Sequence, residues 1–244
     1  MRWLCFFLAF PLLASMIGNP ADPAIMNTGF FSAGYPFFKF TSAYIYDYTP
    51  DKKYEAPDQM IKRLGLHSQL ANVSLIFVER LQLYGSFGGS KEILQEQPIY
   101  EMIFDTHTHY HFSYSLGGKV ILFQWGQTYL GLDFNAFEIP SSHKSFFQYL
   151  NRLNLPLNTD EKQTLSLNEW QGSLGLASRF FFLTPYVGGI YLHSRLHADK
   201  TYHNQYPWGY FYGVTLSLTG RLHANFERRL RDESAYTFSG IMVF

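Results

Sequence analysis

The sequence is poor in cysteine, in charge and in long apolar runs. Its single cysteine, Cys5, has no second thiol to pair with, so no disulfide forms within the chain. In an exported protein, stability then has to come from closure of the fold and not from cross-links. No run of roughly 20 consecutive apolar residues is present, which excludes a bundle of membrane helices. Charged residues make up only 16% of the chain, and 19 Lys and Arg balance 19 Asp and Glu. Such a chain lacks the basic face that nucleic-acid binding favours, and no nucleic-acid partner is expected. Neither G-x-S-x-G nor H-E-x-x-H occurs, so no enzyme activity is expected.

Aromatic side chains are what the sequence has in abundance. They are 19% of its 244 residues, with 24 Phe and 18 Tyr. Mean hydropathy is nevertheless slightly polar at -0.11. A membrane barrel averages to this mixture because its apolar and polar faces cancel, although a soluble aromatic-rich β-protein averages to it as well.

The first residues read as a secretory signal: Arg2, then the apolar stretch Trp3 to Leu13, then the small residues Ala14, Ser15 and Gly18. The stretch is too short for an anchoring helix and Pro11 interrupts it. The expected organisation is a signal at 1–17 with cleavage within about 14–18, an N-terminal periplasmic segment at 18–34, and one β-domain from 35 to 244.

Beyond this point apolar and polar residues alternate with a period near two, in about ten segments bounded by turn residues. The clearest runs through Tyr110, Phe112, Tyr114, Leu116, Val120 and Leu122, opposite His109, His111, Ser113, Ser115 and Lys119. Another sets Tyr186, Ile190 and Leu192 against Tyr191, His193 and Arg195. The connections alternate between short turns and longer stretches at 49–65, 89–106, 139–164 and 198–207. The stretch Pro98 to Phe104 reads either as an extra strand or as a loop folded inward. Short turns on one side and longer loops on the other are the asymmetry of an outer-membrane barrel.

The pattern therefore predicts an all-β transmembrane, antiparallel up-and-down β-barrel of about ten strands, with twelve possible, short periplasmic turns and longer extracellular loops. The apolar series would face lipid. The opposite series would line the lumen with Lys39, Asp47, His109, His111, Lys119, Asp133, Glu169, Arg179, Arg195, Glu227 and Arg229. Mixed signs imply weak charge selectivity, or alternatively ion pairs that fill a narrow lumen. A soluble barrel with its apolar faces turned inward would alternate too. His107, His109 and His111 suggest a metal site, but i, i+2 and i+4 on a strand spread over roughly 13 Å, so no metal or other cofactor is expected.

Several stretches resemble the chlamydial major outer membrane protein family. They are Gly18-Asn19-Pro20-Ala21-Asp22-Pro23 with Ile25-Met26 and Gly29, Ala71 to Gly88 with the Glu79-Arg80 turn, and Phe112 to Phe137. The closest match is Glu169-Trp170-Gln171-Gly172-Ser173-Leu174-Gly175-Leu176 with Arg179 and Thr184-Pro185-Tyr186-Val187-Gly188, followed by Glu227 to Ala235 and the terminal Phe244. The resemblance implies a surface-exposed, antigenic, oligomer-forming porin; in outer-membrane barrels generally a C-terminal aromatic, here Phe244, is the residue expected to be read by the barrel assembly machinery. The chain departs from the family in lacking its cysteines and in being shorter. The expected function is passive diffusion of small hydrophilic solutes or ions across an outer membrane. The alternative is a non-conducting structural or adhesive surface barrel acting through its extracellular loops, especially 139–164. Expected partners are outer-membrane lipid, the assembly machinery, small solutes and a second copy of the chain.

Overall fold

A computed structural model of the chain describes residues 18–25, 37–56, 59–99, 102–149, 153–156, 164–198, 200–231 and 233–244. The expected signal lies outside the described residues, and none of the described helices is long and apolar enough to cross a membrane. A short helix, α1 (Asp22–Ile25), precedes the strands β1 (Phe38–Ala56), β2 (Gln59–Phe77), β3 (Leu81–Ile99), β4 (Met102–Thr108), β5 (His111–Trp125) and β6 (Thr128–Tyr149). Then follow β7 (Leu153–Pro156), β8 (Thr164–Ser178), β9 (Leu183–His197), β10 (Thr201–Asn204), β11 (Trp208–Ser217), β12 (Leu222–Leu230) and β13 (Glu233–Val243).

All pairings are antiparallel, and the sheet closes where β13 meets β1 from Thr41↔Val243 to Lys52↔Glu233. Some strands share one place in the ring. β4 and β5 both lie between β3 and β6, and β10 and β11 both follow β9. Counted by place, the ring has ten strands at its turn end, as the sequence pattern predicts. Closure removes the two edges of the ring, so its ladder groups find partners within the chain, while β7 pairs with β6 alone among the described residues.

The expected long loops take a different form. Most of 49–65, 89–106 and 139–164, and residues 201–204 of 198–207, are strand, because these stretches continue the ladders of β1–β2, β3–β4, β6–β7 and β9–β10. Residues 102–108 within them form the extra strand β4. The asymmetry between the two sides is thus a second storey of barrel. That storey is narrower. The β12–β13 hairpin turns back at Arg231, and above it β10 pairs directly with β1 through Tyr54↔Asn204 and Glu55↔His203. Ten strands below become eight above.

The polarity of the wall differs between the storeys. In the lower one the outer face carries exposed Phe38, Tyr44, Val73, Leu83, Phe87, Leu116, Leu132, Leu174, Val187 and Phe238. Its bottom edge carries Phe123, Trp125, Phe180, Phe182 and Phe181, the last 95% exposed. Tyr46, Tyr110, Trp208, Tyr210 and Tyr236 cluster at its top. Soluble monomers rarely expose continuous apolar surface beyond a few hundred Å². A band of this height between two aromatic girdles is a wall that meets hydrocarbon. Above the upper girdle the exposed residues become Lys53, Glu55, Arg63, His109, His143, Arg195, His197, Lys200 and His203.

Candidate functional site

The interior of the lower storey carries many polar and charged side chains. Lys39, Asp47, Lys119, Asp133, Glu169, Glu227 and Arg229 all point inward and are buried. Their burial is the finding that matters: side chains lining a water-filled channel would stay accessible to water. Lys39 bridges the half-exposed Glu79 at 2.7 Å, and two networks take up the rest. In one, Arg229 bridges Asp47 at 2.7 Å and Glu233 at 2.9 Å, while Lys52 bridges Glu233 at 2.8 Å and Glu169 at 2.5 Å. Tyr54 Oη donates to Glu169 at 3.2 Å, and Thr237 Oγ1 donates to Asp47 at 2.5 Å. In the other, Lys119 Nζ pairs with Asp22 at 2.6 Å, Tyr84 Oη donates to Asp133 at 2.8 Å, and Tyr186 Oη donates to Glu227 at 3.1 Å. Buried charges survive in such surroundings only when paired and hydrogen-bonded.

Asp22 belongs to the segment expected in the periplasm. Residues 18–25 instead enter the lower lumen. Asn19 Nδ2 donates to Thr215 Oγ1 at 3.0 Å, and Lys119 Nζ donates to the Asn19 carbonyl at 3.3 Å. Pro20 rests on Gly131 and Gly175, which face each other across β6 and β8. A Cβ on Gly131 would stand 2.5 Å from the Pro20 carbonyl oxygen, and one on Gly175 2.9 Å from Pro20 Cγ. Ala21 packs into an apolar cluster with Ile76, Ile121, Tyr186, Ile190 and Phe211. Beside Asp22 and Lys119 a cavity of about 60 Å³ remains, space for a few waters.

The upper storey is closed by its own side chains. Tyr54, Leu64, Leu66, Leu70, Leu94, Phe137, Ile139, Leu165, Leu167, Leu196 and Tyr202 form one buried apolar cluster. They come from β1, β2, β3, β6, β8, β9 and β10, that is, from all around the ring. An eight-stranded barrel is just wide enough for side chains to fill, whereas ten strands leave room. The strand count therefore explains both halves: the narrow storey packs a core, and the wide storey takes in residues 18–25.

Four of the expected lumen residues lie elsewhere. His109 is exposed, because an extra residue between the registers Ile93↔His107 and Ser90↔His111 bulges the wall there. The bulge exchanges the faces: Thr106 and Thr108 point inward above it, Ser113 and Ser115 below it. His111, at the bulge, accepts from the His143 backbone N–H at 3.1 Å with the rings edge-on at 5.6 Å, outside the lumen. Arg195 is exposed because the whole of β9 is turned over relative to expectation. Tyr186, Ile190 and Leu192 point inward, and Val187, Tyr191 and His193 outward. Arg179 lies beyond the end of β8, half-buried in the turn to β9. Phe244 is half-buried, its amide donating to the Phe40 carbonyl at 2.9 Å and its ring 5.9 Å from Phe40.

The sequence reading missed Lys52, Tyr54 and Glu233 in the buried network. For Lys52 and Tyr54 a signal existed, since Lys52 and Lys53 are adjacent and only one can face solvent on a strand. Among the described residues, no group of three or more His, Cys, Asp or Glu stands close enough to hold a metal ion.

No protein-family model matches the chain, and no curated protein matches it either. Solved structures do. An outer membrane channel from Pseudomonas putida F1 is similar at 10% identity and a TM-score of 0.45, over 89% of this chain and 99% of that one. The outer membrane protease OmpT from Escherichia coli is similar at 9% identity and a TM-score of 0.40, over 84% and 93%. A Pseudomonas aeruginosa FadL homologue is similar at 7% identity and a TM-score of 0.39, over 96% and 99%.

Proposed function

We propose that the chain is an outer-membrane barrel with a closed lumen, acting at the cell surface through its upper storey. The apolar, doubly girdled lower wall supports the membrane setting. The observation that carries the non-conducting reading is the apolar core drawn from seven strands of the eight-stranded ring. Porin-type diffusion, the other reading, draws support from the polar lower interior but needs a path through that core. The kinship with the chlamydial major outer membrane protein family remains part of the proposal, carried by Glu169 to Gly188 and Glu227 to Ala235. So does recognition of Phe244 by the assembly machinery.

The test is recording in planar bilayers on protein whose folding is shown by heat-modifiable gel mobility. The folded protein is expected to give no discrete conductance steps, and to stay silent when residues 18–25 are deleted, because the upper core is independent of them. Regular steps from the intact folded chain would overturn the closed reading in favour of a porin.

A further inference from the structure

We propose that the outer wall of β8, β9 and β10–β11, at the step from the apolar band to the polar storey, binds the headgroup of a phosphorylated glycolipid of the outer leaflet. The proposal rests on the outer-membrane reading. Three cross-strand pairs build the site, all outward. Trp170 pairs with His193 across β8 and β9, their rings 5.4 Å apart. Tyr191 pairs with Trp208 across β9 and β11, edge-on at 4.8 Å. Arg195 pairs with His203 across β9 and β10, and its Nε donates to His193 Nε2 at 3.0 Å.

From bottom to top the patch is therefore aromatic, then mixed, then cationic. A glycolipid headgroup presents the same order: sugar rings that lie flat on aromatic faces, then phosphate beyond the acyl chains. Arginine is the side chain suited to phosphate, through its planar fork of donors. Charge supports the choice. Among the described residues, no acidic side chain faces outward on β8, β9, β10 or β11. Glu55, opposite His203 on β1, and Glu138, opposite Asn168 on β6, mark its two edges.

The geometry is held from behind. β10 and β11 are separated by Gln205, Tyr206 and Pro207, and Asn204 braces the break. Its Oδ1 accepts from Ser194 N at 3.0 Å, and its Nδ2 donates to the carbonyls of Leu192 at 2.9 Å and Tyr206 at 3.1 Å. The amide of Leu192 donates to the Pro207 carbonyl at 2.7 Å. Such a bulge re-aims side chains, here Trp208 below it and His203 above.

The experiment uses the full folded chain in detergent micelles and native mass spectrometry of bound lipid. The probes are a bis-phosphorylated acylated diglucosamine, its dephosphorylated form, and inorganic phosphate. The phosphorylated lipid is expected to bind at least tenfold tighter than the dephosphorylated one, with no competition from equimolar inorganic phosphate. Arg195→Gln is expected to remove that tenfold preference, and Lys91→Gln, at the same step on the far side, to keep it. Should R195Q not fold, His203→Gln gives the second reading, with the preference reduced. Equal binding of both lipids, or a preference untouched by the substitutions, overturns the site. Displacement by inorganic phosphate overturns the lipid assignment. Absence of heat-modifiable mobility and of detergent-dependent folding would instead overturn the outer-membrane reading.

Discussion

Replacing Leu116 by arginine places a charge on the outer wall midway along β5, between Trp125 at the bottom girdle and Tyr110 at the top. Leu116 is 52% exposed, so in water the substitution would cost almost nothing. At the midplane of a bilayer it costs about 2–4 kcal/mol. The neighbouring Ser115 is 2% exposed and faces the lumen. Arginine there meets a filled interior. Overpacking alone costs about 1–3 kcal/mol, and an unpaired buried charge adds about several kcal/mol more. Three outcomes are thus separable by urea unfolding in liposomes, followed by gel mobility. A membrane barrel with a dry interior is destabilised at both positions, Ser115→Arg at least as much as Leu116→Arg. A membrane barrel with a wet lumen suffers at Leu116 alone. A soluble barrel suffers at Ser115 alone. Either of the last two results would refute the reasoning.

The seat of the N-terminal segment is open to attack at Gly175, where a Cβ would stand 2.9 Å from Pro20 and 3.0 Å from the Phe211 ring. Gly175→Val is expected to expel residues 18–25 and to make them accessible to protease or to a spin label, at a cost of about 1–3 kcal/mol. Lys52→Met leaves Glu169 and Glu233 facing each other in the interior without their shared cation, and is expected to cost about 3–5 kcal/mol. The double variant Lys52→Met/Glu169→Leu should recover part of that loss, and a double-mutant cycle in urea measures how much. Phe137→Ala removes a fully buried ring of the upper core and is expected to cost about 3–5 kcal/mol by the same assay. A loss below about 1 kcal/mol would show that the upper storey is not packed.

Alternation along each strand was legible from the sequence because a period of two requires no knowledge of neighbours. It located the strands, the lipid-facing series through Leu116 and Leu174, and seven of the inward charges from Lys39 to Arg229. It failed where a bulge breaks the count, as at His109, and where both faces of a strand are apolar or neutral, as in Tyr186-Val187-Gly188-Gly189-Ile190-Tyr191-Leu192. There the choice of face is made by what lies beside it inside the barrel: Asn225 and Glu227 on β12, two strands along the wall, for Tyr186, and Phe211 on the adjoining β11 with Ala21 for Ile190.

The amino-acid sequence by itself determined an all-β chain of alternating strands with one apolar, aromatic-tipped face opposite a polar one, since these follow from side-chain order along the strand. Whether the lumen is open was a tertiary decision. It depends on the β12–β13 hairpin stopping at Arg231, which lets β10 close on β1 and shrinks ten strands to eight. It depends also on Gly131 and Gly175 meeting across two strands to receive Pro20. Both are contacts between residues more than 40 positions apart, and local periodicity carries no record of them.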